Sequence, residues 1–219
     1  MAPKMPPTSC DALTIVFAKA PRAGEVKTRL MPLLGAEGAA ALHRQLVHRT
    51  LVTATAAGLG PVELHAAPDV SDAFLRDNAQ RFGVALVPQR GADLGARLRH
   101  AFDDGLARHA QVMIVGTDCP VLTAQHFRGA SAALADGNDA VLIPVEDGGY
   151  ALIGLTRCDD RLFENIAWGG DTVLAATRAR LQTLKWRWHE LETLWDIDRP
   201  DDYHRWSELV ILNENNKLA

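Results

Sequence analysis

The chain has 219 residues, of which 47% are hydrophobic and 23% are charged, and its formal net charge at pH 7 is −4. Because a domain commonly takes about 100–200 residues, this length predicts one domain, which we place at residues 11–212. The composition excludes wholesale disorder, and the mildly acidic balance argues against a nucleic-acid binder, whose usual footprint is a basic face. We therefore expect a globular, enzyme-sized domain.

The cysteines and the hydropathy pattern predict a cytoplasmic protein. Cys10, Cys119 and Cys158 are widely spaced and form no CxxC pair, which favours reduced thiols over disulfides or a zinc site. No uninterrupted apolar run approaches the roughly 20 residues that a bilayer-spanning helix needs. The Pro-rich residues 1–11 lack the apolar centre of a signal peptide, so we expect no membrane span.

Strand-like and helix-like segments alternate along the chain. The predicted strands are 13–18, 61–67, 84–88, 111–115, 140–145, 150–155 and 186–191; the predicted helices are 36–57, 71–82 with Ser71 as its cap, 93–109, a helix from the cap Thr123 to about 136, 171–184 and 200–212. This order predicts an α/β fold, an open, mostly parallel Rossmann-like sheet with helices on both faces. Between 140–145 and 150–155 too little chain intervenes for a parallel crossover, so these strands are predicted to be antiparallel or to step between sheets.

The loop after the first predicted strand is basic. It holds one acid, Glu25, and four cations, which are Lys19, Arg22, Lys27 and Arg29. Arg binds phosphate oxygens bidentately, Lys supplies a point charge, and Gly24 allows a turn that brings backbone N–H groups near a ligand. The position directly after a buried strand favours a phosphate cradle over a solvated basic loop, although the loop matches neither the Walker P-loop pattern nor GxGxxG.

Acidic residues at two later positions are candidate metal ligands. Asp118 follows the predicted strand 111–115, and Asp196 and Asp198 lie shortly before the last helix. Mg²⁺ takes one or two protein carboxylates and keeps waters and substrate phosphates as its other ligands. Alternate residues of an extended segment point to the same side, so either of the later acids could complete a site with Asp118. The alternative is that Asp118 and Asp198 only cap the helices that follow them.

Two glycine-containing segments are candidate substrate contacts. In 146–150, two glycines permit close backbone approach and Asp147 could act as a general base, although a plain hairpin turn explains the same residues. Trp168 could stack on a base or sugar, or belong to the core. The substrate-binding candidates are Gly148, Gly149, Tyr150 and Trp168.

Six motifs in this order resemble those of a bacterial family of GT-A-fold glycosyltransferases that is also associated with arsenosugar biosynthesis. They are Phe17-Ala18-Lys19-Ala20-Pro21 with Gly24 and Lys27-Thr28-Arg29-Leu30, Asp93-Leu94-Gly95 with Arg97-Leu98, Gly116-Thr117-Asp118-Cys119-Pro120, Asp147-Gly148-Gly149-Tyr150, Trp168-Gly169, and Asp196-Ile197-Asp198. The resemblance implies a nucleotide-diphosphosugar transferase-like fold, a divalent metal (Mg²⁺ or Mn²⁺) at Asp118, and a nucleotide lying across the strand ends. The candidates to bind the nucleotide and its phosphates are Lys19, Arg22, Gly24, Lys27, Arg29, Asp93, Gly95 and Arg97.

Three functions stay open at this point. The resemblance implies glycosyl transfer from a nucleotide sugar to a small-molecule acceptor, with Asp118 and Asp147 as the candidate catalytic residues. Nucleotidyl transfer from a nucleoside triphosphate to a phosphorylated metabolite is the alternative, because 27–30 is similar to phospholactate guanylyltransferases and 118–120 resembles molybdenum-cofactor nucleotidyltransferases. The third possibility is a nucleotide-binding module without turnover. Nothing in the sequence indicates an oligomeric state.

Overall fold

The computed structural model describes residues 12–215, with side chains described up to residue 209. Cys10 and Asp11 lie outside the described residues. The strands are β1 (Ala12–Lys19), β2 (Val62–Ala67), β3 (Ala85–Pro88), β4 (Gln111–Val115), β5 (Ala140–Pro144), β6 (Tyr150–Leu155) and β7 (Trp188–Glu190). The α-helices are α1 (Met31–Ala57), α2 (Ala73–Phe82), α3 (Leu94–Leu106), α4 (Ala124–Ala135), α5 (Val173–Thr183) and α6 (Pro200–Asn215), with short 3₁₀ turns at Thr28–Leu30 and Asp160–Leu162.

The described strands form one seven-stranded sheet in the order β3-β2-β1-β4-β6-β5-β7. β6 runs antiparallel to both of its neighbours, and all other pairs are parallel. The chain builds outward from β1 to β3 and then returns to the opposite side of β1 with β4. In an open α/β sheet, ligands bind outside the strand ends at such a reversal point, here between the carboxyl ends of β1 and β4.

Burial explains why the strands read as continuous apolar runs. One face of the sheet packs against α1, α2 and α4, with Val16, Met113 and Phe127 fully buried. The other face packs against α3 and α5, with Ile15 and Phe102 fully buried. A strand covered on both faces needs apolar side chains at successive positions, which is why β1 shows no alternation.

The predicted α/β fold is confirmed, and the differences between the prediction and the structure lie at the ends of helices and strands. Asp72, not Ser71, caps α2, because its side chain accepts a hydrogen bond from the N–H of Leu75 at 3.1 Å. Helix α1 begins at Met31 and includes a kink at Gly35, whose φ of 68° is outside the helical region. Strand β7 is shorter than predicted, covering three residues.

Two further findings bear on the sequence predictions. Within residues 12–215, no helix is long and apolar enough to cross a membrane. Cys119 is buried and Cys158 is half-buried, and both are free thiols.

Candidate nucleotide and metal site at the strand ends

The loop after β1 turns inward and buries one of its cations. Lys27 adopts a left-handed conformation (φ 49°) just before the 3₁₀ turn, and its side chain is only 4% exposed. Its ammonium lies 2.7 Å from Asp118 Oδ1 and also donates a hydrogen bond to the Ile197 carbonyl. The Ile197 N–H in turn donates to the Asp118 carbonyl at 2.9 Å. Lys27 therefore joins the loop after β4 to the segment before α6.

Asp118 presents its carboxylate to a cleft. Its side chain is 52% exposed, and the next helix begins only at Ala124. Desolvation raises the pKa of Asp118, but the nearby Lys27 ammonium outweighs it and holds that pKa below its usual range. The role of helix cap, considered as the alternative for Asp118, is excluded by this spacing. Asp118 is therefore an ionised carboxylate available to a ligand.

Three carboxylates crowd the same cleft. Burial, together with the negative charges of Asp147 and Asp118, raises the pKa of Asp196 to about 7. Such mutual repulsion is relieved when a cation binds between the groups. In the part of the chain that the structure describes, no three His, Cys, Asp or Glu residues are arranged as a ready metal cage. The donor set instead fits Mg²⁺ or Mn²⁺ held by one or two carboxylates, with substrate oxygens as further ligands.

Asp198 is engaged by a cation of the basic loop. Its carboxylate forms an ion pair with Arg29, across 169 residues of sequence. The backbone N–H groups of Asp198 and Arg199 are capped by the side chain of Asp202, which accepts from them at 3.1 and 2.7 Å. Of the two later acids, Asp196 is thus the more available to a metal.

Two adjoining cavities meet at this cluster. The first has a volume of about 550 Å³ and extends along β1 toward β3; we call it the nucleotide cavity, after the role proposed for it below. The second has a volume of about 500 Å³ and extends over β6 toward α5; we call it the acceptor cavity, likewise after its proposed role. They share Phe17, Lys19, Arg29, Leu94, Gly116, Asp118 and Asp198.

Most of the residues proposed from the sequence line one of these cavities. The nucleotide cavity contains Lys19, Lys27, Arg29, Arg97 and Asp118; the acceptor cavity contains Asp147, Gly149, Tyr150, Trp168 and Asp196, and Asp198 is shared by both. The lining of neither cavity includes Arg22, Gly24, Asp93, Gly95 or Gly148.

Four of the residues outside the cavities, which are Arg22, Asp93, Gly95 and Gly148, lie against other parts of the protein. Arg22 lies 3.9 Å from both Glu25 and Asp69. Asp93 caps α3 by accepting from the Ala96 N–H at 2.8 Å. A Cβ at Gly95 would lie 2.7 Å from Trp168 Nε1, and one at Gly148 would lie 2.0 Å from the Asp171 carbonyl. Both glycines therefore permit close packing within the protein.

Asp147 and Tyr150 each line the acceptor cavity and also have polar atoms directed at other parts of the protein. Asp147 Oδ1 accepts from the Gly149 N–H at 2.9 Å, as the hairpin alternative predicts, while the residue remains exposed at the cleft. The Tyr150 ring lines the acceptor cavity, but its hydroxyl is buried near Thr177, and neither hydroxyl makes a hydrogen bond of ordinary geometry. Burial raises the pKa of the Tyr150 phenol.

Sequence reasoning missed three residues that line the nucleotide cavity. The Gln89 amide donates to the carbonyls of Ala18 (3.3 Å) and His65 (2.9 Å), and Gln89 follows β3 at its carboxyl end, a position that could have identified it. Phe17 stacks on His65 with ring centroids 5.7 Å apart. His43 of α1 is 5% exposed and bonds the Lys19 carbonyl at 3.1 Å, and no sequence pattern marks it.

Comparisons with known proteins agree with this picture of the fold. A family model described as "Uncharacterized protein conserved in bacteria (DUF2064)" matches residues 50–170. The structure of an inferred nucleotide-diphospho-sugar transferase from Desulfovibrio desulfuricans G20 is similar, with a TM-score of 0.78 and 27% identity over 86% of this chain and 83% of that one. These matches confirm the resemblance to nucleotide-diphosphosugar transferase-type proteins. No curated protein matches the chain.

More distant structures share the fold. A nucleotidyl transferase from Methanothermobacter thermautotroptrophicus has a TM-score of 0.60 at 14% identity, covering 92% of this chain and 98% of that one. The Rv0371C protein of Mycobacterium tuberculosis H37Rv, determined in complex with manganese, has a TM-score of 0.56 at 19% identity, covering 88% and 96%. At these identities the likeness concerns the fold.

Proposed function

The chain belongs to the DUF2064 family, and from that premise we propose that it is a metal-dependent transferase that moves a sugar from a nucleotide sugar to a small-molecule acceptor. The observation that carries this proposal is the junction of two cavities at Asp118. Glycosyl transfer needs a nucleotide diphosphate and an acceptor to meet at one acidic, cation-binding point. The transferase named in the Desulfovibrio structure supports the same class of reaction.

The nucleotide cavity supplies groups for a nucleotide. Lys19 and Arg97 are the cations we assign to the phosphates, because within residues 12–209 neither side chain has an ion-pair partner. Gln89, in the nucleotide cavity alone, and Phe17, at the junction of the two cavities, supply a polar and an aromatic surface suited to a base or ribose.

Asp118 and Asp196 would hold Mg²⁺ or Mn²⁺. Both carboxyl groups lie in the same cleft, where the pKa of Asp118 is lowered and that of Asp196 is raised partly by the charge of Asp118, a repulsion that a cation would relieve. When bound, the cation supplies charge stabilisation for the departing diphosphate. Asp147 lies at the mouth of the acceptor cavity and would accept the proton of the attacking hydroxyl. We place the reaction in the cytoplasm, a location supported by the free thiols of Cys119 and Cys158.

Nucleotidyl transfer is the second candidate, favoured by the basic loop and by the fold shared with a nucleotidyl transferase. Two of the loop's cations are already neutralised, Lys27 by Asp118 and Arg29 by Asp198. That pairing leaves less positive charge for a triphosphate than the sequence indicates. We therefore rank glycosyl transfer above it.

Product identity separates these functions. The full chain is incubated with Mn²⁺, a panel of nucleotide sugars with pooled alcohols, and a panel of nucleoside triphosphates with pooled phosphorylated metabolites, and the products are read by mass spectrometry. Release of a nucleoside diphosphate from one sugar nucleotide is the expected result. Pyrophosphate release that requires a phosphorylated partner would overturn the proposal. Metal-dependent nucleotide binding without either product would indicate a binding module.

A further inference from the structure

The floor of the acceptor cavity is apolar. Leu98, Ile114, Ile153 and Val173 line it, each less than 10% exposed, together with the ring of Tyr150. The Tyr150 hydroxyl does not relieve this character, because it is turned into the protein interior. Leu94, at the junction with the nucleotide cavity, adds an apolar side chain that is 40% exposed. Such a floor favours a ligand with an apolar part.

The rim of the acceptor cavity is acidic. Four carboxylates line it and only two cations, Lys19 and Arg29. Arg29 is paired with Asp198, and Asp118 is paired with Lys27, so Asp147, Asp196 and Lys19 are the charged residues of this lining that have no ion-pair partner among the described residues. A bound divalent cation does not reverse this balance, because the nucleotide diphosphate that accompanies it brings at least as much negative charge. A phosphorylated second substrate would therefore be repelled.

An aromatic side chain adds to the apolar lining of the acceptor cavity. Trp168 lines this cavity, and the Nε1 edge of its ring packs against α3 at Gly95, where a Cβ would lie only 2.7 Å from Nε1. Gly95 therefore leaves the room that the Trp168 ring needs against α3, and the ring presents a large apolar surface to a ligand.

We propose that the second substrate, on the basis of the proposed function, is an uncharged amphipathic alcohol whose apolar part covers this floor and whose hydroxyl lies at the acidic rim. In the transfer, the hydroxyl oxygen forms the bond to the anomeric carbon of the donor sugar. The bond from that carbon to the diphosphate oxygen breaks, and its electron pair leaves with the nucleoside diphosphate. The hydroxyl proton passes to the Asp147 carboxylate, so that atoms and charges balance.

Three matched probes test this inference by calorimetry on the full chain at low ionic strength in the presence of chelator, so that no free metal ion binds the phosphate: hexyl β-D-glucopyranoside, methyl β-D-glucopyranoside and hexyl phosphate. We expect the hexyl glucoside to bind at least tenfold more tightly than the methyl glucoside, because of the apolar floor. We expect hexyl phosphate to bind at least tenfold more weakly than the hexyl glucoside, with the difference shrinking as salt is added. Equal or tighter binding of hexyl phosphate, or no gain from the hexyl chain, would overturn the inference.

Variants assign the preference to this cavity. Trp168→Ala is expected to remove most of the hexyl glucoside affinity, and Asp147→Lys to narrow the discrimination against hexyl phosphate. Asp136→Lys, at an exposed aspartate after α4, is the matched control and is expected to change nothing. Asp147→Asn, which keeps an oxygen for the Gly149 N–H, gives the same direction of change with less disturbance of the turn. Loss of discrimination in Asp136→Lys as well would contradict the assignment.

A separate measurement distinguishes the failure of this inference from that of the proposed function. Mn²⁺-dependent binding of nucleoside diphosphates reports on the nucleotide cavity alone. If nucleotides bind but hexyl phosphate is preferred, the substrate class is wrong and nucleotide use stands. If the probes behave as expected but no nucleotide binds, the proposed function is wrong and the preference of the acceptor cavity stands.

Discussion

The Lys27 ammonium lies 2.7 Å from Asp118 Oδ1, and the Lys27 side chain is only 4% exposed. The same ammonium donates to the Ile197 carbonyl, and Asp196 is the neighbour of Ile197. One cation therefore keeps Asp118 ionised and holds the two proposed metal-binding segments together. Sequence reasoning assigned Lys27 to phosphate, but its burial and its partners support a positioning role.

Lys27→Met is expected to weaken Mn²⁺ binding by about 10- to 100-fold, the usual effect of losing a residue that orients a metal ligand. Without the ammonium, only the smaller effects of His43 and Lys19 oppose the desolvation of Asp118, so the pKa of that carboxyl rises and the loss of affinity is larger at lower pH. Calorimetric titration with Mn²⁺ at several pH values measures both effects. Lys185→Met, at an exposed lysine, is the control, and equal affinities in the two variants would contradict the role of Lys27.

Gly95→Ala is expected to destabilise the fold by about 1–3 kcal/mol, because its Cβ would lie 2.7 Å from the Phe163 carbonyl and from Trp168 Nε1. Gly129→Ala is the matched control in α4, where the nearest atoms are Leu191 side-chain carbons at 3.6 Å. In that open position alanine is expected to stabilise the helix by up to about 1 kcal/mol. Urea denaturation measures both, and the same sign for the two variants would refute the packing argument.

The sequence predicted which loops carry the candidate functional residues better than it predicted the contacts between distant segments. The rule that ligands bind at the carboxyl ends of strands found Lys19 at the end of β1, Arg29 in the loop that follows it, and Asp118 in the loop after β4. It could not predict that Arg29 pairs with Asp198 or Lys27 with Asp118, since both pairs form only when the chain is folded.

For glycines and helix caps, too, the residue type alone did not predict the contact that forms in the fold. Gly95 and Gly148 were assigned to ligands because glycine permits close approach, but sequence cannot say what approaches, and the structure places Trp168 and Asp171 there. Ser71 and Asp72 are both good cap residues, and only the geometry of the α2 N-terminus selects Asp72.

Acid stability provides a third prediction. The hydrogen bond from His65, together with the nearby Arg108, lowers the pKa of Glu63 to about 2. The Glu63 side chain is only 11% exposed. A pKa depressed in the folded state stabilises the protein above the unfolded value of about 4.5, and that contribution is lost as the pH falls toward 2.

Glu63→Gln is therefore expected to lower the free energy of unfolding at pH 7 by roughly 2–3 kcal/mol and to flatten its dependence on pH between about 5 and 2. Urea denaturation at each pH checks this. Asp104→Asn, at an exposed aspartate without a charged side-chain partner among the described residues, is the control. An unchanged pH profile in Glu63→Gln would contradict the proposed network.

Tyr150→Phe is expected to keep stability and to keep binding in the acceptor cavity, because the ring faces the cavity while the hydroxyl is buried without a hydrogen bond. Removing an unsatisfied buried hydroxyl costs little and is neutral or slightly stabilising. Thermal unfolding and titration with hexyl β-D-glucopyranoside measure the two properties. A loss of affinity greater than about tenfold, with the fold intact, would show that the hydroxyl binds the ligand.

The central claim is that Asp118 joins a divalent cation and a nucleotide at the strand ends, and calorimetry tests it most directly. Nucleoside diphosphates are titrated into the wild-type chain and into Asp118→Asn, with Mn²⁺ and with chelator, and Asp136→Asn is the control. We predict binding that requires Mn²⁺ in the wild type and the control and that is lost in Asp118→Asn. Nucleotide binding that persists in chelator, or that survives Asp118→Asn unchanged, would contradict the account.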